Sequence, residues 1–466
     1  MKKLLAVLLA LTLVFALTAC FAPDCTEHVD ENNDGKCDVC DTPIEPDDGG
    51  DEEIMTHAEY VAAEDNAAVK VKTYVQAKQS WWENKGTFYT QAPDGAYFLY
   101  NMPCTEEQYN ALVPGTCIIV SGFKADFSGE KEIVDATYEI VPDDTYIATA
   151  TDLTEKFANG DDLLANQNEF FALKGATVVS KAIYNWDGTG SAGNDLYLTV
   201  SIGAKLYTLV VESYLTADGT ELYDAVEALE AGNVIDVEGF LYWYNGVQPH
   251  LTKLTVTDEG NVSTHAEFVA AEDDTEHTII TYVQAKQSWW DNKGTFYTQA
   301  PDGAYYLYNM PCTEEQYNEL TAGTCIMVTG FKADFAGEKE LIDTTYTILG
   351  KGGFSPKAND LTDAFANAED LFVYQNEFFT VKGATVTAKA IYNWDGTGSE
   401  GNDLYLAVTV GEKAYTFVVE SYLTGNGTEV YDGVEALEIG DVIDVEGYLY
   451  WYDGVQPHIV KVTVQE

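Results

Sequence analysis

The chain is one unit written twice. The segment Thr73–Trp82 returns without a change at Thr281–Trp290. Position 73 becomes position 281, so the offset is 208 residues, and it holds without a gap from Thr56 and Thr264 to the end of the chain. Each copy is a unit of roughly 205 residues. The chain must therefore adopt a fold that can be repeated in tandem.

Composition limits the fold class and the partners. The chain has 466 residues, of which 46% are hydrophobic, so there is room for about three or four domains with packed cores. The formal charge is −53, and all 24 basic residues are lysine. Arginine is the residue that most often forms bidentate hydrogen bonds with phosphate groups and guanine edges. The electrostatic field of so acidic a chain also repels polyanions. We therefore do not expect double-stranded nucleic acid as a partner.

Residues 1–19 form a predicted signal peptide. Two lysines precede a short apolar run, Leu4–Leu17, and small residues follow before Cys20. The residues that end at Cys20 resemble a bacterial lipobox, in which the cysteine receives a diacylglyceryl group. The resemblance implies an exported protein held by lipid at the outer face of the bacterial cytoplasmic membrane. The alternative is an ordinary signal peptide with a chance cysteine.

A metal-binding segment and an acidic linker are predicted over residues 20–53. Sulfur and imidazole groups form two close pairs, which suits tetrahedral Zn²⁺. The candidate zinc ligands are Cys25, His28, Cys37 and Cys40. In an exported segment the same cysteines could instead form disulfides, and the sequence leaves both interpretations open.

Short oxygen-bearing residues are interleaved with those sulfur ligands in the pattern D-x-N-x-D-G-x-x-D-x-x-D, which suits Ca²⁺. The candidate calcium ligands are Asp30, Asn32, Asp34, Lys36 (through its carbonyl), Asp38 and Asp41. The pattern resembles the calcium loops of thrombospondin type 3 repeats, dockerins and EF-hands. The twelfth position is Asp41 rather than the glutamate of a true EF-hand, so the thrombospondin-like form fits better. Either ion is expected to have a structural role.

Each unit contains two sets of predicted elements in the same order: three strands, a helix and two strands. Capping-box patterns mark helix starts, and alternating β-rich runs mark the strands. This is the order of an OB-fold barrel. The predicted fold is all-β with short helices, as tandem OB-like barrels in two near-identical repeats. The predicted barrels span residues 54–142, 152–257, 264–350 and 360–466.

The first barrel of each unit also resembles known OB modules. The resemblance covers Val69–Val141 and Asp274–Leu349, and includes the strings G-T-F-Y-T-Q and S-G-E-K-E-I of the first copy. The similar modules belong to secreted bacterial proteins, including some that precede extracellular nucleases. The resemblance implies the barrel fold.

Two cysteines flank the helix of the first barrel in each unit. They are Cys104 and Cys117 in the first copy, and Cys312 and Cys325 in the second. In an exported chain a disulfide across each helix is predicted, and it would contribute about 3 kcal/mol on the loop-entropy model. The alternative is a pair of small buried thiols.

Aromatic and lysine residues gather where an OB fold binds its ligands, which is the face of strands 2 and 3 between loops 1–2 and 4–5. The strands contribute Phe88, Tyr97 and Tyr100. The candidate ligand-binding residues of the loops are Trp81, Trp82, Lys85, Lys124, Phe127, Trp186, Trp243, Tyr244, Trp289, Trp290, Lys293, Lys332, Phe335, Trp394, Trp451 and Tyr452. Alternatively, these rings close the barrel ends or pack against the next barrel.

The sequence favours a binding protein over an enzyme. The motifs G-x-S-x-G and H-E-x-x-H do not occur. We therefore expect a non-catalytic surface lipoprotein that binds oligosaccharide by aromatic stacking, with repetition adding avidity. The alternatives are a module that binds single-stranded nucleic acid, and a structural spacer without a ligand.

Overall fold

A computed structural model describes residues 53–184, 189–392 and 397–465. The predicted signal peptide, the lipid-bearing cysteine, the metal segment, Trp186 and Trp394 lie outside these residues. Within them, the strands form four barrels, which we name A1 and A2 in the first repeat and B1 and B2 in the second. No helix of this described part combines the length and hydropathy needed to cross a membrane.

Barrel A1 is a closed five-stranded barrel with the strand order β1-β2-β3-β5-β4, and β4 pairs back with β1. Only β3 and β5 pair in parallel. This is the topology of an OB fold, as the order of elements in the sequence predicts. Its elements are α1 (His57–Ala62), β1 (Ala68–Lys78), β2 (Lys85–Ala92), β3 (Gly95–Pro103), α2 (Glu106–Ala111), β4 (Thr116–Phe127) and β5 (Glu130–Thr145).

The short helices of A1 begin at the predicted capping boxes. The hydroxyl of Thr56 accepts a hydrogen bond from the backbone N–H of Glu59, and the Glu59 side chain accepts one from the backbone N–H of Thr56. Thr105 and Gln108 form the same reciprocal pair before α2. Each pair satisfies backbone donors that have no partner inside the helix.

Barrel A2 repeats this topology. Strand β7 pairs with both β8 and β10, and β9 pairs in parallel with β11, so the sheet closes in the same way. Its elements are β6 (Thr151–Asp152), α3 (Thr154–Asn159), a 3-10 turn (Leu164–Asn166), β7 (Phe170–Tyr184), β8 (Asp195–Ile202), β9 (Lys205–Val211), α4 (Glu221–Ala228), β10 (Val234–Phe240) and β11 (His250–Asp258).

The second repeat has the same elements in the same order. Those of B1 are α5 (His265–Ala270), β12 (Glu276–Lys286), β13 (Lys293–Ala300), β14 (Gly303–Pro311), α6 (Glu314–Glu319), β15 (Thr324–Phe335) and β16 (Glu338–Lys351). Those of B2 are β17 (Asn359–Asp360), α7 (Thr362–Asn367), a 3-10 turn (Phe372–Tyr374), β18 (Phe378–Tyr392), β19 (Asp403–Val410), β20 (Lys413–Val419), α8 (Glu429–Ala436), β21 (Val442–Tyr448) and β22 (His458–Val464).

Each barrel has its own hydrophobic core, and smaller clusters lie between barrels. One cluster joins A1 to A2 and contains Tyr89, Phe98 and Phe240. Its counterpart joins B1 to B2. A third cluster joins A2 to B1 and includes Val179 and Ile280. The four barrels are therefore packed in sequence along the chain.

Candidate ligand-binding surface

The face of A1 on which an OB fold binds its ligand is covered by A2. Tyr89 on β2 stacks on Phe240, with ring centroids 4.6 Å apart, and Phe98 on β3 lies 5.3 Å from Tyr242. Tyr89 and Phe98 are fully buried. The expectation that Phe88 and Tyr97 line this face is wrong, because alternation along each strand points them into the barrel core.

A hydrogen bond crosses the same contact. The Tyr89 hydroxyl lies 2.7 Å from Nδ1 of His250, the first residue of β11. Burial lowers the pKa of His250 to about 3, so the ring is neutral at physiological pH. Repeat B has the same pair, since the Tyr297 hydroxyl lies 2.7 Å from Nδ1 of His458. The covered face is therefore a structural contact in both repeats.

A buried carboxylate joins the two barrels at the tip of the β4–β5 hairpin. Glu130 accepts hydrogen bonds from Asn168 Nδ2 at 2.6 Å and from the backbone N–H of Trp243 at 2.9 Å. Desolvation raises the pKa of this carboxyl to about 8 even though these donors favour its charged form. Glu338 occupies the equivalent position in repeat B. The sequence analysis did not single out either glutamate.

The two adjacent tryptophans of loop 1–2 in A1 have different surroundings: one ring packs on the core and the other is exposed to solvent. Trp81 packs on the A1 core, and its indole N–H donates to the carbonyl of Cys104 at 3.0 Å. Trp82 is 53% exposed. Trp289 and Trp290 divide in the same way. Trp81 and Trp289 thus close barrel ends, whereas Trp82 and Trp290 remain candidates for a ligand, beside the half-buried Lys85 and Lys293.

The expectation that Lys124 and Lys332 contact a ligand is wrong. Lys124 is only 3% exposed, and its ammonium donates to the carbonyls of Val61 and Ala63 at 2.7 and 2.6 Å. Lys332 donates in the same way to Val269 and Ala271. These carbonyls lie at the C-terminal end of a short helix, where no backbone N–H of the helix donates to them. The lysine ammonium supplies the hydrogen bonds that they would otherwise lack.

The β10–β11 hairpin presents one ring to the protein and one to solvent. Trp243 packs on the A2 core and against Gly129, whose lack of a side chain leaves room for the indole. Tyr244 is 47% exposed and lies 6.0 Å from the ring of Phe127, which is 54% exposed. Repeat B matches this: Trp451 packs inward, and the exposed rings of Phe335 and Tyr452 lie 6.0 Å apart.

Further aromatic rings continue from that hairpin along the outer face of A2, part of which B1 covers. Tyr184 is 46% exposed, and its ring lies 5.6 Å from that of the half-buried Tyr197 on β8. Burial raises the pKa of Tyr197, and Tyr244 is among the neighbouring groups that add to this shift. We call Phe127, Tyr244, Tyr197 and Tyr184 aromatic row A. Its counterpart, aromatic row B, contains Phe335, Tyr452 and Tyr405; burial raises the pKa of Tyr405, and Tyr452 is among the neighbouring groups that add to this shift. In each row one ring, Tyr197 or Tyr405, lies on strand 2 of a second barrel, and the other rings lie at strand ends and in the 4–5 hairpin beside the OB ligand face.

The predicted disulfides are absent: Cys104, Cys117, Cys312 and Cys325 are free and buried thiols. The two thiols of A1 lie in different surroundings. Cys104 interacts with Lys78, whereas Cys117 donates to Asp144 at 3.7 Å. Desolvation raises the pKa of both thiols. The alternative of small buried thiols is the correct one.

No protein-family model and no curated protein sequence matches the chain. Solved structures with a similar arrangement include a murine DNA-binding protein bound with double-stranded DNA, at 9% identity and a TM-score of 0.18, covering 39% of this chain and 99% of that one. The Ifi202 HINa domain in complex with double-stranded DNA has 12% identity and a TM-score of 0.15, covering 38% and 99%. Replication protein A bound to single-stranded DNA has 11% identity and a TM-score of 0.18, covering 64% and 94%.

These structures correct one expectation. The net charge and the lack of arginine led us to exclude double-stranded nucleic acid as a partner, yet two of the similar structures are DNA complexes of that kind. The exclusion is therefore wrong. A net charge is a sum over the surfaces of four barrels, and it does not fix the electrostatic potential of any one face.

Proposed function

We propose that the protein is a non-catalytic binding protein that holds a chain-like ligand on aromatic rows A and B, and that single-stranded nucleic acid is this ligand. The observation that carries the proposal is the pair of exposed rings, Phe127 and Tyr244, which lie 6.0 Å apart where the β4–β5 and β10–β11 hairpins meet. Successive unpaired bases stack on such rings in OB folds. Phe335 and Tyr452 give the chain a second such pair.

We expect base stacking, rather than ion pairs with phosphates, to supply most of the affinity. Lys131 and Lys339, which lie on the same hairpins as Phe127 and Phe335, form ion pairs with Asp126 and Asp334. Both ammonium groups are therefore already paired with carboxylates, which weakens their attraction for phosphates. For single strands, each phosphate contact makes the slope of log affinity against log salt concentration more negative by about 0.7. We expect a slope near zero, because salt also screens the repulsion from the acidic chain.

Oligosaccharide is the second candidate ligand, and a threonine on the outer face of each second barrel favours it. Thr208 on β9 is half-buried and its counterpart Thr416 on β20 is exposed, on the strands that pair with those of Tyr197 and Tyr405. Their hydroxyls can exchange hydrogen bonds with sugar hydroxyls while the tyrosine ring supports a sugar face. OB folds bind oligosaccharides on this same surface.

The test measures binding of a fluorescent oligothymidine and of an oligosaccharide panel to the full chain at two salt concentrations. Replacing both ring pairs by alanine, in Phe127→Ala/Tyr244→Ala/Phe335→Ala/Tyr452→Ala, should weaken oligothymidine binding at least tenfold, since base stacking contributes about 1–3 kcal/mol per base. The matched control is Tyr214→Ala, which removes an exposed ring outside the rows. A response to sugars alone would establish the second candidate. Binding unaffected by the row variants, or no binding at all, would overturn the proposal.

We also propose that the chain is exported, lipid-anchored through Cys20, and carries structural Zn²⁺ or Ca²⁺ in residues 20–53. The support is the sequence pattern alone. Metabolic labelling with a radioactive fatty acid tests the anchor, and Cys20→Ser should abolish the label. Elemental analysis of the dialysed full chain tests the metals, with Cys37→Ser/Cys40→Ser as the variant that should release zinc.

A further inference from the structure

The two repeats meet end to end, with A2 docked on B1. Leu206 of A2 packs in one apolar cluster with Ile280, Tyr282 and Leu349 of B1. The hydroxyl of Ser201 donates to the carbonyl of Leu349 at 2.6 Å. This contact, which we call the repeat seam, joins one end of the B1 barrel to a corner of A2 formed by the outer sides of β8 and β9, so B1 covers part of the A2 ligand face.

Because the repeats are equivalent, each half of the seam has a second copy that no other barrel of the described residues covers. The B1 half corresponds to the free end of A1, and the A2 half corresponds to the free corner of B2. If these free copies kept the residues of the seam, B2 of one molecule could dock on A1 of the next. Such a heterologous contact does not close on itself, and it would produce open-ended filaments.

The end of A1 departs from the seam at one buried position. Lys72 stands where Ile280 is buried, and its partner Asp144 stands where Gly352 lies in open space. The two side chains form an ion pair at 2.7 Å, and the Tyr74 hydroxyl also donates to Asp144 at 3.1 Å. Docking a barrel there would take both charges out of water.

The free corner of B2 departs from the seam as well. Thr387 replaces the buried Val179, and Ala414 replaces Leu206, so the apolar groups that fill the seam are missing. Ile439 replaces Ala231, which lies against Val262 in the seam, and it is 75% exposed. The larger side chain adds bulk where the seam is tightly packed, since a Cβ on the next residue, Gly232, would lie 2.4 Å from Val262.

We infer that the seam surfaces select their partner. A2 and B1 fit each other, whereas the corresponding surfaces of A1 and B2 do not bind a second copy of the chain. Five positions carry it, namely 72, 144, 387, 414 and 439. The inference does not depend on the proposed ligand.

The test restores the seam residues on two separate full-length variants. The A1 variant carries Lys72→Ile and Asp144→Gly, and the B2 variant carries Thr387→Val, Ala414→Leu and Ile439→Ala. Sedimentation velocity should give the mass of one chain for the wild type and for each variant alone. An equimolar mixture should form a complex of two chains, with association at least tenfold tighter than either variant alone.

The control replaces the A1 variant by Lys253→Ile/Glu238→Ala, which removes an exposed ion pair away from the seam surfaces, and this mixture should remain as single chains. Head-to-tail association of the wild type would overturn the inference. So would a mixture that stays as single chains although both variants unfold at the wild-type temperature. Should the A1 variant fail to fold, Lys72→Met/Asp144→Asn is judged by the same criteria.

Discussion

Tyr89 and His250 lie 161 residues apart in the chain, and the Tyr89 hydroxyl is 2.7 Å from Nδ1 of His250 inside the contact between A1 and A2. Tyr89→Phe should lower the free energy of unfolding by about 1–3 kcal/mol, because it leaves a buried ring nitrogen without a partner. Urea unfolding measures the loss. Tyr297→Phe should cost the same, and Tyr74→Phe, at the half-open end of A1, should cost less; equal losses at all three positions would contradict a special role for this contact.

The buried Glu130 should make stability depend on pH. Its folded-state pKa is raised from 4.5 to about 8, so the folded protein is favoured while this carboxyl is protonated. The free energy of unfolding should fall as the pH rises from about 4.5 through 8, and Glu132 and Glu212, with pKa values raised to about 7, act in the same direction. Glu130→Gln should flatten the decline in melting temperature.

The control for that experiment is Glu107→Gln, on the exposed side of α2. It should leave the profile of melting temperature against pH unchanged. A profile for Glu130→Gln that coincides with the wild-type profile would show that this carboxyl stays ionised, held by Asn168 and Trp243.

The adjacent rings Trp81 and Trp82 should respond to substitution in opposite ways. Trp81→Ala should lower the free energy of unfolding by about 3 kcal/mol, since it opens the barrel end and leaves the Cys104 carbonyl without its donor. Trp82→Ala should change it by less than about 0.5 kcal/mol, as is usual for an exposed site. Chemical denaturation of the two variants measures the difference, and equal losses would refute the division.

Lys124 should matter for folding and not for binding. Lys124→Met should cost about 3 kcal/mol, because the ammonium that joins β4 to the two carbonyls after α1 is lost. The affinity of the folded variant for any ligand should equal that of the wild type. Lys85→Met provides the comparison at a half-buried lysine; a loss of affinity without a loss of stability in Lys124→Met would restore the ligand role.

The four cysteines of A1 and B1 should react only on unfolding. Peptide mapping after alkylation of the unreduced protein should show unmodified Cys104, Cys117, Cys312 and Cys325 under native conditions, and full modification in denaturant, because the thiols are buried and free. Reductant should leave the melting temperature of these barrels unchanged. Disulfide-linked peptides would contradict the structure.

The barrels could be predicted because their local signals agree. The reciprocal pairs Thr56/Glu59 and Thr105/Gln108 mark helix starts in sequence and in structure. The count of strands before and after α2 then selects the OB order, and the closed barrels confirm it. The start of α3 has no such pair: the helix begins after Leu153, and Asp152 accepts from the Thr154 backbone and hydroxyl.

The binding surface could not be predicted, because its position depends on contacts between barrels. Within β3, Phe98 and Tyr97 are neighbours in sequence with opposite orientations, and the pattern alone does not reveal a cover for the outer one. A signal was present, however. The run Tyr97-Phe98-Leu99 lacks the polar residues of a half-exposed strand, and such runs are typical of strands buried on both faces.

The covered face of A1 has a consequence for how such a chain can grow in evolution. A single barrel with the residues of A1 would expose Tyr89 and Phe98 on a sheet face, and an exposed apolar face of this kind invites aggregation. A gene duplication that copied one barrel would therefore be harmful, whereas a duplication of the pair carries its own cover. The copied unit of this chain, at roughly 205 residues, is such a pair, and we expect longer or shorter descendants to differ by whole pairs.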